Sequence, residues 1–171
     1  AKGGSANNGA VSQMLYLAGV VVNAGDDFTI QGATVTSGLA VADPSSAAFA
    51  PGHAVDIRTS ASLAYGGTTY TGFKAAGDIT ISGSSTSSHG VYINAAVEST
   101  AGSVTITGTS ASGYGLYTTA SGTVTGVTGV AMYGRGAAGS VTTGSLVRNT
   151  GSTGGVILNA ATDASIGAVT N

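Results

Sequence analysis

The sequence has no cysteine and no tryptophan, and only two of its 171 residues are proline. Without thiols there are no disulfides, no cysteine-ligated zinc and no thiol nucleophile. Charge is scarce too: 7% of residues are Asp, Glu, Lys or Arg, against about 25% in an ordinary globular protein. Net charge is −2, and the five basic residues, Lys2, Arg58, Lys74, Arg135 and Arg148, are scattered. A nucleic-acid surface needs a dense basic stripe to release counterions, so no nucleic-acid partner is expected. The longest apolar run, MLYLAGVVV at 14–22, has nine residues, whereas a membrane-spanning helix needs about 20. No membrane span is expected, and no signal peptide is read. The chain lacks an initial Met and ends in AVTN, which reads as a mature product or a piece of something longer. Glu, Lys and Leu are too few to suggest any capped helix with an apolar stripe.

What is there is glycine, 29 residues of it, with much Ala, Ser, Thr and Val. Gly and Ser at low charge can mean disorder, but 42% of the chain is hydrophobic and mean hydropathy is +0.32. A disordered chain lacks apolar material to bury; this one has it, clustered in short β-branched runs. At this length one domain with a sizeable core is expected.

The runs repeat. AGDDFTIQG (24–32), AGDITISG (76–83) and AGSVTITG (101–108) align, with glycine at Gly25, Gly77 and Gly102 and again at Gly38, Gly90 and Gly115. In Val104-Thr105-Ile106-Thr107 and Ile79-Thr80-Ile81-Ser82, apolar and polar residues alternate with a period of two, the pattern of a strand with one buried face. The gap of 52 between Ala24 and Ala76 is twice 26, so a degenerate unit is expected near residue 50, with further starts at Ala120, Ala138 and Ala164. Units that resemble each other in register suit a solenoid rather than a sandwich. The expectation is an all-β parallel β-solenoid of about seven coils, each of roughly 18–26 residues, with two or three strands per coil and one segment covering 1–171. Residues 42–52 are expected to form a loop excursion. Like residues stack at about 4.8 Å, so Ile79 should lie beside Val104 and Ile81 beside Ile106. The recurring glycines would serve corners that need positive φ or close backbone approach.

Residues 76–117, through the segment G-x-[VI]-T-[IV]-[TS]-G and the following G-[VL]-Y strand, resemble the shaft repeats of filamentous-haemagglutinin-like large exoproteins, bacterial surface adhesins exported by two-partner secretion. Looser matches reach about 18–171, and the NPNG-type motif typical of that family's secretion domain is lacking. The resemblance implies a right-handed parallel β-helix, an extracellular or cell-surface location, and a role in adhesion or surface structure.

The tightest polar cluster is His53, Asp56 and Arg58. Asp56 and Arg58 are two apart on a strand and share a face, as carboxylates and bases do in polysaccharide-cleaving β-helices. A glycosidase also wants a second carboxylate at a set distance. At an offset of 26 the neighbours would be positions 30 or 32 and 82, which are Ile, Gly and Ser. No catalytic residue is therefore assigned, and these three stand as candidates only. Asp26, Asp27 and Asp78 recur at a turn without the GGxGxD pattern of calcium solenoids, so no metal is expected; nor is any cofactor. His89 reads as a solvated turn residue. Asn23, Asn94 and Asn159 read as corner residues bonding turn backbone. If Val91, Ile93 and Leu116 point inward, Tyr92 and Tyr117 point outward and stack, with Val21 and Ile157 in the equivalent outward place. That apolar outer face suggests a cover, a contact surface for another copy or a neighbouring solenoid segment, or a platform for host or cell-surface glycans. Outward Thr80, Thr105, Thr107, Thr123 and Thr125 raise ice binding. The leading functional expectation is a non-enzymatic adhesin or filament shaft; a carbohydrate-active β-helix is the alternative and an ice-binding solenoid the third.

Overall fold

Strands of this chain are laid down three to a turn, in one repeating order. The computed structural model describes residues 15–18, 22–31, 53–58, 62–65, 67–86 and 88–171; the expected excursion at 42–52 and Val21 lie outside them. The first turn comprises β1 (Leu15–Ala18), β2 (Val22–Ala24) and β3 (Phe28–Gln31). The second holds β4 (Val55–Arg58), a hairpin of β5 (Ser62–Tyr65) and β6 (Thr68–Thr71), then β7 (Phe73–Ala75) and β8 (Ile79–Ser85). The third runs through β9 (Val91–Asn94), β10 (Val97–Ser99) and β11 (Ser103–Ser110). The fourth has β12 (Tyr114–Thr118), β13 (Val124–Gly126) and β14 (Gly129–Gly136). Then come β15 (Gly139–Thr143), β16 (Val147–Asn149) and β17 (Val156–Ala160), and last β18 (Ala164–Ile166) and β19 (Val169–Thr170). Stacking the turns makes three parallel sheets. Sheet 1 is β1-β4-β9-β12-β15-β18, sheet 2 is β2-β7-β10-β13-β16-β19, and sheet 3 is β3-β8-β11-β14-β17.

This is the expected parallel β-solenoid. Val104 pairs with Ile79 and Ile106 with Ile81, and both ladders continue into Val130 and Met132 and then Val156 and Leu158. Sheet 1 contributes Val55, Val91, Leu116 and Val141, and sheet 2 Phe73, Val97, Val124 and Val147, all buried. Each fully buried Ile, Leu or Val contributes about 1.5–3 kcal/mol, and alternation of two puts each neighbour outside.

The number of coils departs from seven, since among the described residues no sheet has more than six strands. The miscount has a physical source. Phe28 pairs directly with Ile79, so the stretch from 24 to 76 is one wide turn, not two; it takes in the β5–β6 hairpin, and the described part of the unit expected near residue 50, β4, joins sheet 1 without starting a separate coil. The start at Ala138 leads into β15 of sheet 1 rather than into a new sheet 3 strand. In the regular part, equivalent residues in sheet 3 are 25 or 26 apart, as Ile79, Val104, Val130 and Val156.

Close approach, rather than an unusual φ, explains the central glycine ladder. Gly83, Gly108 and Gly134 stack in sheet 3, where the chain turns toward sheet 1. A Cβ on Gly108 would run into the Gly115 carbonyl, and one on Gly134 into that of Ser140. The other corner is stitched by carboxylates: the Asp78 amide donates to Asp27 Oδ1 at 2.7 Å, and the Ser103 amide and hydroxyl donate to Asp78 Oδ1 at 2.7 and 2.9 Å. Those two bonds hold the Asp78 carboxyl below its ordinary range. Asp27 and Asp78, read as turn residues, thus tie the first coil to the second and the second to the third.

Candidate functional site

The outer face of sheet 1 gathers most of the residues singled out above. Two ladders run along it. Asp56 pairs with Tyr92 and Tyr92 with Tyr117. Three residues earlier in each coil stand His53, His89 and Tyr114, linked by backbone bonds from Ala54 N to the His89 carbonyl and from Gly90 N to the Tyr114 carbonyl. The ladders end where Tyr114 meets Gly139 and Tyr117 meets Thr142.

The rings form a grid. His53 stacks on His89 with centroids 4.5 Å apart and on Tyr92 at 5.0 Å. Tyr92 stacks on Tyr117 at 5.7 Å, and His89 on Tyr117 at 5.3 Å, all within 13° of parallel. Tyr114 closes one end, edge-on to His89 at 5.3 Å. The Arg58 guanidinium lies over Tyr92, 5.2 Å from its centroid, while its Nε donates to both Asp56 oxygens at 2.9 and 3.1 Å. Asp56 is 0% exposed although it points outward.

Burial governs the protonation of this patch. His53 is lowered from 6.5 to about 3, chiefly by burial, then by His89 and Arg58. Burial lowers His89 as well. It raises the Asp56 carboxyl, against the hydrogen bond and charge of Arg58, and it raises the Tyr92 hydroxyl. His53 Nε2 stands 4.0 Å from Asp56 Oδ2, too far for a hydrogen bond.

The structure therefore joins His53, Asp56 and Arg58 with Tyr92 and Tyr117, two groups that the sequence treated separately. It corrects four readings. His89 is half-buried and stacked, not a solvated turn residue. The neighbours of Asp56 are Tyr16 and Tyr92, not positions 30, 32 and 82, because the coils here are wider than 26 residues. Ile157 belongs to sheet 3, pairing with Ala131 and 55% exposed, so it has no part in the tyrosine face. Thr123 and Thr125 leave the threonine face: Thr125 sits on sheet 2 between Glu98 and Arg148. The corner-asparagine reading changes in detail, since Asn94 Oδ1 accepts from the Thr119 hydroxyl of the next coil rather than from its own turn.

Chemically, the patch offers little open acid or base. The Asp56 carboxylate is enclosed by its arginine, and the flat faces of the rings lie against one another. Stacking a sugar on Tyr92 needs a free ring face, and each face of Tyr92 has a ring or a guanidinium near it. Among the described residues no three His, Asp or Glu side chains converge to hold a metal ion, and no helix is long and apolar enough to cross a membrane.

The outer rows of sheet 3 read Thr29, Thr80, Thr105, Ala131, Ile157 and Ser82, Thr107, Tyr133, Asn159. Ala131, Tyr133 and Ile157 break the threonine array that ice binding would need. No family model, curated protein or solved structure matches the chain.

Proposed function

We propose that this chain is a shaft: a stiff β-solenoid spacer of an extracellular bacterial adhesin or surface filament, extended by adding coils at its ends. The carrying observation is the in-register ladder through sheet 3, Phe28–Ile79–Val104–Val130–Val156, which stacks each coil on the next however long the chain between them. Placement at the cell surface rests on the resemblance of 76–117 to haemagglutinin-like shaft repeats. Extension is favoured by the edge strands at this end of the stack. There β17, β18 and β19 each lie at the end of their sheet, with Ile166 and Val169 45% and 42% exposed. Edges of this kind accept further strands, from more of the same chain or from a second copy.

Electron microscopy and light scattering across a concentration series test the reading. Rods that lengthen with concentration, and that shorten to single particles on Val169→Asp, are the expected result. Particles of one short length at every concentration would remove end-to-end assembly from the proposal. The carbohydrate-active alternative rests on the His53–Asp56–Arg58 cluster beside Tyr92, and turnover of pectin-like acidic glycans, lost on Asp56→Asn, would establish it instead.

A further inference from the structure

The two histidines of sheet 1 face backbone donors with the same ring atom. The His89 amide donates to His53 Nδ1 at 3.2 Å, with the Ser88 hydroxyl 2.8 Å from that nitrogen. One coil further on, the Tyr114 amide donates to His89 Nδ1, again at 3.2 Å. A backbone N–H is always a donor, so each Nδ1 must carry a lone pair, and each neutral ring must hold its proton on Nε2. The imidazoles are thus staples, each fastening its coil to the next only while uncharged.

We propose that this pair is an acid-release device: protonation of His53 and His89 unfastens the second, third and fourth coils along sheet 1 and leaves sheet 3 in place. A proton on Nδ1 turns the acceptor into a donor facing another donor. It also puts two cations on stacked rings 4.5 Å apart, beside Arg58. The other groups packed on the pair are Asp56 on β4, Tyr92 on β9, and Tyr114 and Tyr117 on β12. Asp56 is the one carboxylate among them, and it is already held by Arg58. The linkage sign follows from the lowered histidines. Their contribution to stability is complete above about pH 6.5, the ordinary histidine value, and drains as pH falls toward about 3, the folded value of His53. Asp56 runs the other way: raised in the fold, it favours the folded state at low pH and loses that as pH rises, so it cannot cause an acid-induced opening.

The test is nuclear magnetic resonance on the intact chain from pH 7.5 to 4.5. Imidazole nitrogen shifts should show both rings neutral with the proton on Nε2. After correction for intrinsic exchange, the opening constants of the His89 and Tyr114 amides should rise by up to about tenfold per pH unit for each proton taken up, while those of Val104 and Thr105 in sheet 3 stay level. In the His53→Asn, His89→Asn double variant, where the amide oxygen replaces Nδ1 as a non-titrating acceptor, the pH dependence should vanish. A proton found on Nδ1, a pH-independent opening in the unaltered chain, or an unchanged pH dependence in a folded double variant would each overturn the proposal. Should the variant fail to fold, the first two readouts decide it.

Discussion

The third coil carries Tyr92 on the outside of sheet 1 and Thr105 on the outside of sheet 3, and the two faces could hardly differ more. Around Tyr92 the outer row is half-buried, filled by stacked rings, a guanidinium and a carboxylate withdrawn from water. Around Thr105 the neighbours are the short side chains of Thr80 and Ala131, and the row is partly solvated. Yet the inward neighbours, Val91 and Ile93 on one side and Val104 and Ile106 on the other, are equally buried. The inner ladders define the coil, and the outer rows are free to diverge in chemistry without disturbing it.

That division can be broken from inside. Ile106→Ala opens a cavity between Ile81 and Met132, and both outer faces should suffer together, with a loss of about 2–5 kcal/mol in chemical denaturation. Gly108→Ala acts at the corner that joins the two sheets, driving a methyl into the Gly115 carbonyl, and should cost about 1–3 kcal/mol. The outer rows should then separate cleanly. Tyr92→Ala removes stacking on His53, His89 and Tyr117, each such pair being worth about 0.5–1.5 kcal/mol. Thr105→Ala should stay within about 0.5 kcal/mol of the unaltered chain. Equal losses at Tyr92 and Thr105 would show that the ring grid adds nothing beyond an ordinary solvated face.

The sequence displays the inner ladders of sheets 1 and 3 because their strands are long enough to alternate. Ile79-Thr80-Ile81 over Val104-Thr105-Ile106 is legible by eye. Sheet 2 is not: Val97-Glu98-Ser99 and Val147-Arg148-Asn149 each offer one apolar residue in three, too short a pattern to distinguish from a turn. Coil boundaries failed where the chain widens, since a fixed period cannot anticipate a hairpin set between β4 and β7. The ring grid was within reach. His53-Ala54-Val55-Asp56-Ile57 and His89-Gly90-Val91-Tyr92-Ile93 share a pattern, but they lie 36 residues apart, off the period of 25 or 26 that the regular coils keep. What no pattern supplies is the burial of Asp56, which depends on Arg58 and the rings closing over it together.

The wide second turn has a consequence for how such a molecule can diversify. Phe28 and Ile79 remain adjacent across 51 residues of chain, and the axial advance is still a single inter-strand step of about 4.8 Å. Length along the axis and length of polypeptide are therefore independent quantities. Appendages such as the β5–β6 hairpin can be grown sideways, enlarged or exchanged, while the spacing between the two ends of the rod stays as it was.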